Sequence, residues 1–233
     1  AHQFANMARL ALAIFGLALV GFVSASLASI ESSGVYGVDT AGQDVYESGW
    51  SCLMDNGFTF GIVRGWHSYG APDDTCTHAL ANAWVSGMSR MDVYMFPCYS
   101  CGDGAGQVEE MVNYLSNSTY DGLWLDIEGG SSYWSTNVNN NQAFFEDMVN
   151  QANKMNQNLG IYTSDSQWGP IMGNSYTGGS DYPLWYAHYD NNPSFSDFSP
   201  FGGWSSPAIK QYAGDDSDCG YGVDKNWAEN LNF

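Results

Sequence analysis

Short apolar runs recur along this chain, and longer, more polar stretches separate the early ones. That alternation constrains the fold more than any other feature. The runs cover 35–39, 59–65, 92–96, 122–127, 159–163, 184–188, 208–212 and 221–224. Each has the length of a β-strand. The intervening segments 44–56, 75–88, 106–115 and 141–155 read as helices. In the last of these, Phe144, Phe145, Met148, Val149 and Ala152 recur at the spacing of one helical face. Strands alternating with helices imply a parallel sheet. Eight strands then predict an α/β fold, a single closed (β/α)8 TIM-like barrel. Segments 169–181 and 190–206 are rich in Gly, Asn and Ser and read as loops, so the barrel is expected to be irregular in its second half. The sequence shows no internal repeat and no linker, so one domain is expected.

The N-terminus reads as a processing signal. Residues 10–23 form an uncharged apolar run behind Arg9, and Ser26-Leu27-Ala28 has a small-x-small cleavage pattern. This predicts removal of residues 1–28, leaving a mature domain at 29–233. Met7 is preceded by six residues whose origin the pattern does not explain. A membrane-spanning helix needs about 20 apolar residues. The run reaches that length only if the Ser-containing stretch to Ile30 is counted, so a retained anchor is the less favoured reading.

Charge excludes two classes of partner. Six Lys+Arg face 25 Asp+Glu, a formal net charge of −19. Six cations cannot make the basic footprint that nucleic acid requires, and anionic lipid is disfavoured for the same reason. The acidity fits solubility or work at low pH. Five cysteines, Cys52, Cys76, Cys98, Cys101 and Cys219, suit an exported chain with up to two disulfides and one thiol. Spacing alone leaves their pairing open. Cys98 and Cys101 have C-x-x-C spacing, but no second ligand pair completes a zinc site. A structural bridge is expected there. Asn117-Ser118-Thr119 is the only N-x-S/T sequon and lies in a polar turn.

The most informative segment is Gly122-Leu123-Trp124-Leu125-Asp126-Ile127-Glu128. Strand alternation puts Trp124, Asp126 and Glu128 on one face, and Leu123, Leu125 and Ile127 on the other. Acids at the C-terminal end of a barrel strand point into the mouth, where such barrels keep their chemistry. Two carboxylates this close disfavour each other's ionisation, so one can hold a proton while the other stays charged. Glycoside hydrolysis needs that division. Asp39 ends the first run and Asp224 the last, each after a Gly-Val pair. In a closed barrel those strands are neighbours, so Asp39 and Asp224 are expected side by side near Asp126 and Glu128.

With these residues in view, the chain resembles the glycoside hydrolase family 25 (Chalaropsis-type) lysozymes, most closely the secreted forms of invertebrates and protists. The resemblance rests on Gly37-Val38-Asp39, on 123–128, on Leu184-Trp185-Tyr186-Ala187-His188-Tyr189, on Ala208-Ile209-Lys210-Gln211-Tyr212 and on 222–227. It runs from about Val35 to the C-terminus. It implies hydrolysis of the β-1,4 bond between N-acetylmuramic acid and N-acetylglucosamine in bacterial peptidoglycan. It also implies Glu128 as proton donor and Asp126 as second catalytic carboxylate, either a nucleophile or a partner orienting the substrate's acetamido group. Asp39 and Asp224 match the remaining mouth acids. The strong negative charge departs from the cationic lysozymes of other families.

Tyr94, Tyr162, Trp185, Tyr186 and Tyr212 are candidates for stacking on sugar rings, with core packing as the alternative for each. Arg64, Trp66 and His67 end the second strand and could line the groove, with Arg64 equally suited to pair with an acid. His188 is expected to take a core or hydrogen-bonding role rather than do acid–base chemistry. No metal and no cofactor are expected. The expected setting is secreted, lysosomal or phagosomal, and the expected state a monomer, with an extracellular assembly possible. The competing functional reading is a catalytically silent glycan-binding or structural protein on the same barrel, because fold does not fix function.

Overall fold

The computed structural model describes residues 34–233. The expected signal segment 1–28 therefore lies outside the described residues. Eight strands close a barrel: β1 (Val35–Thr40), β2 (Phe58–His67), β3 (Arg90–Met95), β4 (Leu123–Asp126), β5 (Leu159–Thr163), β6 (Leu184–Ala187), β7 (Ile209–Asp218) and β8 (Tyr221–Ala228). The first seven run parallel around the barrel, and β1 also pairs with β2. A short strand at Ala71–Pro72 folds back on the end of β2.

The last strand corrects the expectation of an all-parallel barrel. β8 is antiparallel to both β7 and β1. The cause is the length of the connection. Asp218 pairs with Tyr221, and the two residues between them, Cys219 and Gly220, both have positive φ, 52° and 85°. Two such residues suit the type I′ turn of a hairpin, whereas a parallel crossover needs a dozen or more. Asp224 therefore does not end its strand. It lies in the first half of β8, and the reversed direction brings that half to the end of the barrel where β1 finishes.

Helices cover only the first part of the barrel: α1 (Glu47–Asp55), α2 (Cys76–Ser86), α3 (Gly104–Tyr114), α4 (Val138–Lys154) and α5 (Asp165–Met172). The first four match the expected helices. The fifth takes in part of the segment read as loop, because Gly169 and Pro170 sit inside it. Two caps are visible: Asp103 accepts from Gly106 N at the start of α3, and Asn137 from Asn139 N at the start of α4.

Packing follows strand alternation. Leu123, Leu125 and Ile127 join Trp50, Leu53, Phe145 and Met148 in the core between barrel and helices. Trp124 points inward with Phe60, Ile62, Tyr162 and Trp185, which fill the barrel. Each such fully buried side chain contributes on the order of 1.5–3 kcal/mol. The inward Trp124 needs space on the neighbouring strand. A Cβ on Gly160 would stand 2.3 Å from its ring, so glycine is required there. The other end of the barrel is closed by Arg90, which forks onto Asp92 at 3.0 and 3.1 Å and lies 3.9 Å above the Phe233 ring.

The cysteines resolve as two disulfides, Cys52–Cys219 and Cys98–Cys101, with Cys76 free and buried. The C-x-x-C pair is thus a local bridge, as expected. The first bridge ties α1 to the β7–β8 turn across 167 residues of sequence.

Candidate active site

The four acids meet at one end of the barrel. Asp39 is the penultimate residue of β1 and Asp126 the last of β4. Glu128 follows two residues later, after Ile127 N has bonded to Tyr162 O. Asp39 and Asp224 are register partners across the β1–β8 ladder.

Gln211 on β7 ties this pair together. Its Nε2 donates to Asp39 Oδ2 at 2.8 Å and to Asp224 Oδ2 at 3.1 Å. Its Oε1 accepts from the hydroxyls of Tyr162 at 2.6 Å and Tyr189 at 2.8 Å. All four hydrogen-bonding positions of the amide are used, which fixes its orientation. Asn226 adds a second donor to Asp39 Oδ2 at 2.7 Å and is itself held by Trp185 Nε1 at 2.8 Å. Asp224 Oδ1 accepts from Asp215 N at 2.7 Å.

Asp126 has a different environment. It is buried, and its Oδ1 is the one buried side-chain polar atom among the described residues without a hydrogen-bond partner. Leaving such an atom unpaired costs about 1–3 kcal/mol. Glu128 is more exposed than Asp126.

All four acids bind protons more tightly than a free carboxyl. Burial is the largest cause for each. It pushes Asp39 up to about 8, helped by the Asp224 and Glu128 charges and opposed by the Asn226 and Gln211 hydrogen bonds. Asp126 is raised well above the usual range by burial and then by Glu128 and Asp39, with Arg64 opposing. Burial and Asp224 raise Glu128. Burial also raises Asp224, against the Asp215 backbone hydrogen bond. Like charges sharing a poorly solvated mouth cannot all ionise together at neutral pH. A cleft of about 200 Å³ opens beside Asp39 and Asp224, bordered by Thr40, Gln43 and Tyr94.

The remaining candidates divide by strand face. Tyr94 and Tyr162 point inward at the acids, whose charges help burial to raise both phenols. Arg64 lies close enough to oppose the Asp126 shift, and its Nε bonds Asp73 Oδ2 at 2.9 Å. Trp185 also faces inward but is 2 % exposed, packed 4.4 Å centroid to centroid on Tyr162. It fills the barrel and offers no face to a sugar. Tyr186 and Tyr212 follow inward residues and so point outward. Tyr186 bonds Asp197 Oδ1 at 3.0 Å, and Tyr212 packs edge-on against Tyr36. Neither reaches the mouth. Trp66 is fully buried in the outer core with its Nε1 on Gln107, so it does not line the groove. His67 stacks on Tyr69.

Gln211, Asn226 and Tyr189 were not among the residues singled out from sequence, although all three lie in or beside the segments that carried the resemblance. Outside the mouth, ligand atoms of His188, Asp190 and Asp197 lie within 4.8 Å of one another. The buried Lys210 ammonium already serves both carboxylates, at 2.9 and 2.7 Å, and His188 Nδ1 bonds Asp197 at 2.5 Å. His188 thus takes a hydrogen-bonding role and not a core one, since its side chain is 56% exposed.

The family model described as Lysozyme-like protein 1 matches residues 31–212. "Probable GH family 25 lysozyme 2" of Dictyostelium discoideum is 51% identical over 197 residues, covering 84% of this chain and 91% of that protein. The chain belongs to the glycoside hydrolase family 25 lysozymes. "Probable GH family 25 lysozyme 4" of the same organism is 48% identical over 183 residues, 78% of this chain and 84% of the relative. Among solved structures, a family GH25 lysozyme from Aspergillus fumigatus superposes with a TM-score of 0.69 at 20% identity, over 84% of this chain and 94% of that one. At that identity the superposition speaks for the barrel alone. As a family 25 member the chain is a glycoside hydrolase, and the mouth is where its chemistry is sought.

Proposed function

We propose that this lysozyme cleaves the β-1,4 bond between N-acetylmuramic acid and N-acetylglucosamine of bacterial peptidoglycan, with Glu128 as proton donor. The observation that carries this reading is the convergence of four acids with raised proton affinity in one mouth. Glu128 combines a raised proton affinity with partial exposure. A protonated, reachable carboxyl is what a departing glycosidic oxygen requires. Asp126 is the second catalytic carboxylate. Its buried Oδ1 has no protein hydrogen-bond partner, so the carboxylate is not committed to a protein donor and can serve as a nucleophile or as a partner for the acetamido group. The oxocarbenium-like charge that develops on the sugar favours ionised Asp126 at the moment of reaction. Asp224 supplies further negative potential, while Asp39, tied to it through Gln211, holds a proton and keeps the proton count of the mouth in balance. Tyr94, Tyr162 and Arg64 border the sugar.

The silent glycan-binding alternative gains nothing from this arrangement. Burying an acid with an orphaned oxygen lowers stability, and a scaffold without chemistry has no use for that cost. Two disulfides fit an oxidising compartment, so action outside the cell or in a lysosome or phagosome, as a monomer, accompanies this reading. Clearing of a bacterial cell-wall suspension by the protein, and its loss in Glu128→Gln, is the test. Walls that stay turbid with the folded wild-type protein contradict the proposal.

A further inference from the structure

We propose that Asn117 carries an N-linked glycan whose first sugars lie in the groove between α2 and α3. The groove holds about 620 Å³ and is bordered by Leu80, Trp84, Tyr114, Asn117 and Thr119. Its wall is apolar on the helix side. Tyr114 is 40% exposed, and neighbouring Val85 70%. A sugar ring can pack on the aromatic surface of Trp84 and Tyr114 that the groove leaves open, and so cover it.

The cover is written into the rim. Asn117-Ser118-Thr119 is an acceptor sequon, whereas Asn192-Pro193-Ser194 is excluded by its proline. Asn117 lies in the turn after α3 and is exposed, as is Thr119. Among the described residues its side-chain amide has no hydrogen-bond partner. Trp84 Nε1 donates to Thr119 O at 2.8 Å, which anchors the indole beside the sequon. A sugar linked at Asn117 can therefore lay an apolar ring face against Trp84 and Tyr114. In the linking step the Asn117 Nδ2 forms a bond to C1 of a lipid-diphosphate-linked oligosaccharide. The C1–O bond to the diphosphate breaks, the lipid diphosphate leaves, and the amide gives up one proton.

The site is remote from the chemistry. α3 leads into the start of β4, so its final turn lies at the opposite end of the barrel from the acids. Loss of the glycan should leave hydrolysis unchanged, which separates this proposal from the muramidase reading.

The test is secretion from a eukaryotic host and mass analysis of the peptide spanning Asn117, for wild type, Thr119→Ser and Thr119→Ala. Both variants keep the Trp84 bond, because it uses the backbone carbonyl. Wild type and Thr119→Ser are expected to carry a hexosamine-containing glycan on Asn117, and Thr119→Ala none. Thr119→Ala should also melt about 2–4 °C lower than Thr119→Ser. Unmodified Asn117 in the secreted wild type overturns the site. A glycan whose loss leaves the melting temperature unchanged overturns its placement in the groove.

Discussion

Asp39 and Asp224 stand opposite each other on an antiparallel ladder and share one donor group, the side-chain amide of Gln211. The amide gives each acid one hydrogen and is oriented by two tyrosine hydroxyls. Replacing it exposes how far the acid pair depends on it. Gln211→Leu removes both donors and strands the Tyr162 hydroxyl, so a loss of about 1–3 kcal/mol in stability is expected. It should also raise the Asp39 proton affinity further, because the Gln211 hydrogen bond opposes the shift. The pH profile of hydrolysis by Gln211→Leu should differ in shape from wild type. A variant with the wild-type profile and melting point would show the bridge to be incidental.

Activity should peak below neutral pH and fall as pH rises. Burial and the Asp224 charge raise Glu128 above its ordinary value. Losing that proton removes the general acid. The net charge of −19 acts in the same direction against an anionic wall. Salt should relieve the second effect and not the first. The check is kcat/KM on purified peptidoglycan from about pH 3 to pH 9 at two ionic strengths. An optimum above pH 8 is incompatible with a protonated Glu128.

The same acids make stability depend on pH. Asp39 is raised in the folded protein from 3.8 to about 8. The folded state therefore holds a proton that the unfolded chain has released. The stability this contributes is fully present below about pH 4 and is lost as pH rises toward 8. The slope for one such group approaches about 1.4 kcal/mol per pH unit. Asp39→Asn cannot ionise, so it should melt higher than wild type at pH 8 and close to it at pH 4. Equal melting at both pH values would mean that Asp39 is not held protonated by the fold.

The two disulfides should differ widely in worth. Cys52–Cys219 closes a loop of 167 residues, Cys98–Cys101 one of 3. Chain-entropy reasoning gives the long loop roughly 5 kcal/mol and the short one far less. Cys219→Ser should lower the denaturation midpoint much more than Cys101→Ser. Similar midpoints for the two variants would contradict that ordering.

The barrel was legible because apolar strand runs alternate with amphipathic helices, and strand parity put Asp126 on the inward face of β4, with Glu128 two residues beyond the strand's end. Strand direction was not. The stretch between Tyr212 and Tyr221 is too short for a helical crossover, and Cys219-Gly220 forms a two-residue hairpin turn, so β8 runs back against β7. Asp224 reaches the mouth because β8 runs backwards, not because it ends a strand. The same parity rule separates Trp185 from Tyr186 and Gln211 from Tyr212, since adjacent strand residues cannot share a face. By that rule Gln211 faces the acids while Tyr212 packs outside against Tyr36. That Gln211 bridges two acids lay beyond the sequence, because an amide acquires its role only from the strands that close around it.

The most direct test of the four-acid mouth is product analysis of purified peptidoglycan incubated with wild type and Glu128→Gln. Reduction followed by mass spectrometry identifies the sugar at each newly formed reducing end. Wild type should release fragments ending in N-acetylmuramic acid. Folded Glu128→Gln should be slower by about 10²–10⁴-fold, the usual share of general acid catalysis. Fragments ending in N-acetylglucosamine, or wild-type rates from Glu128→Gln, would contradict the account.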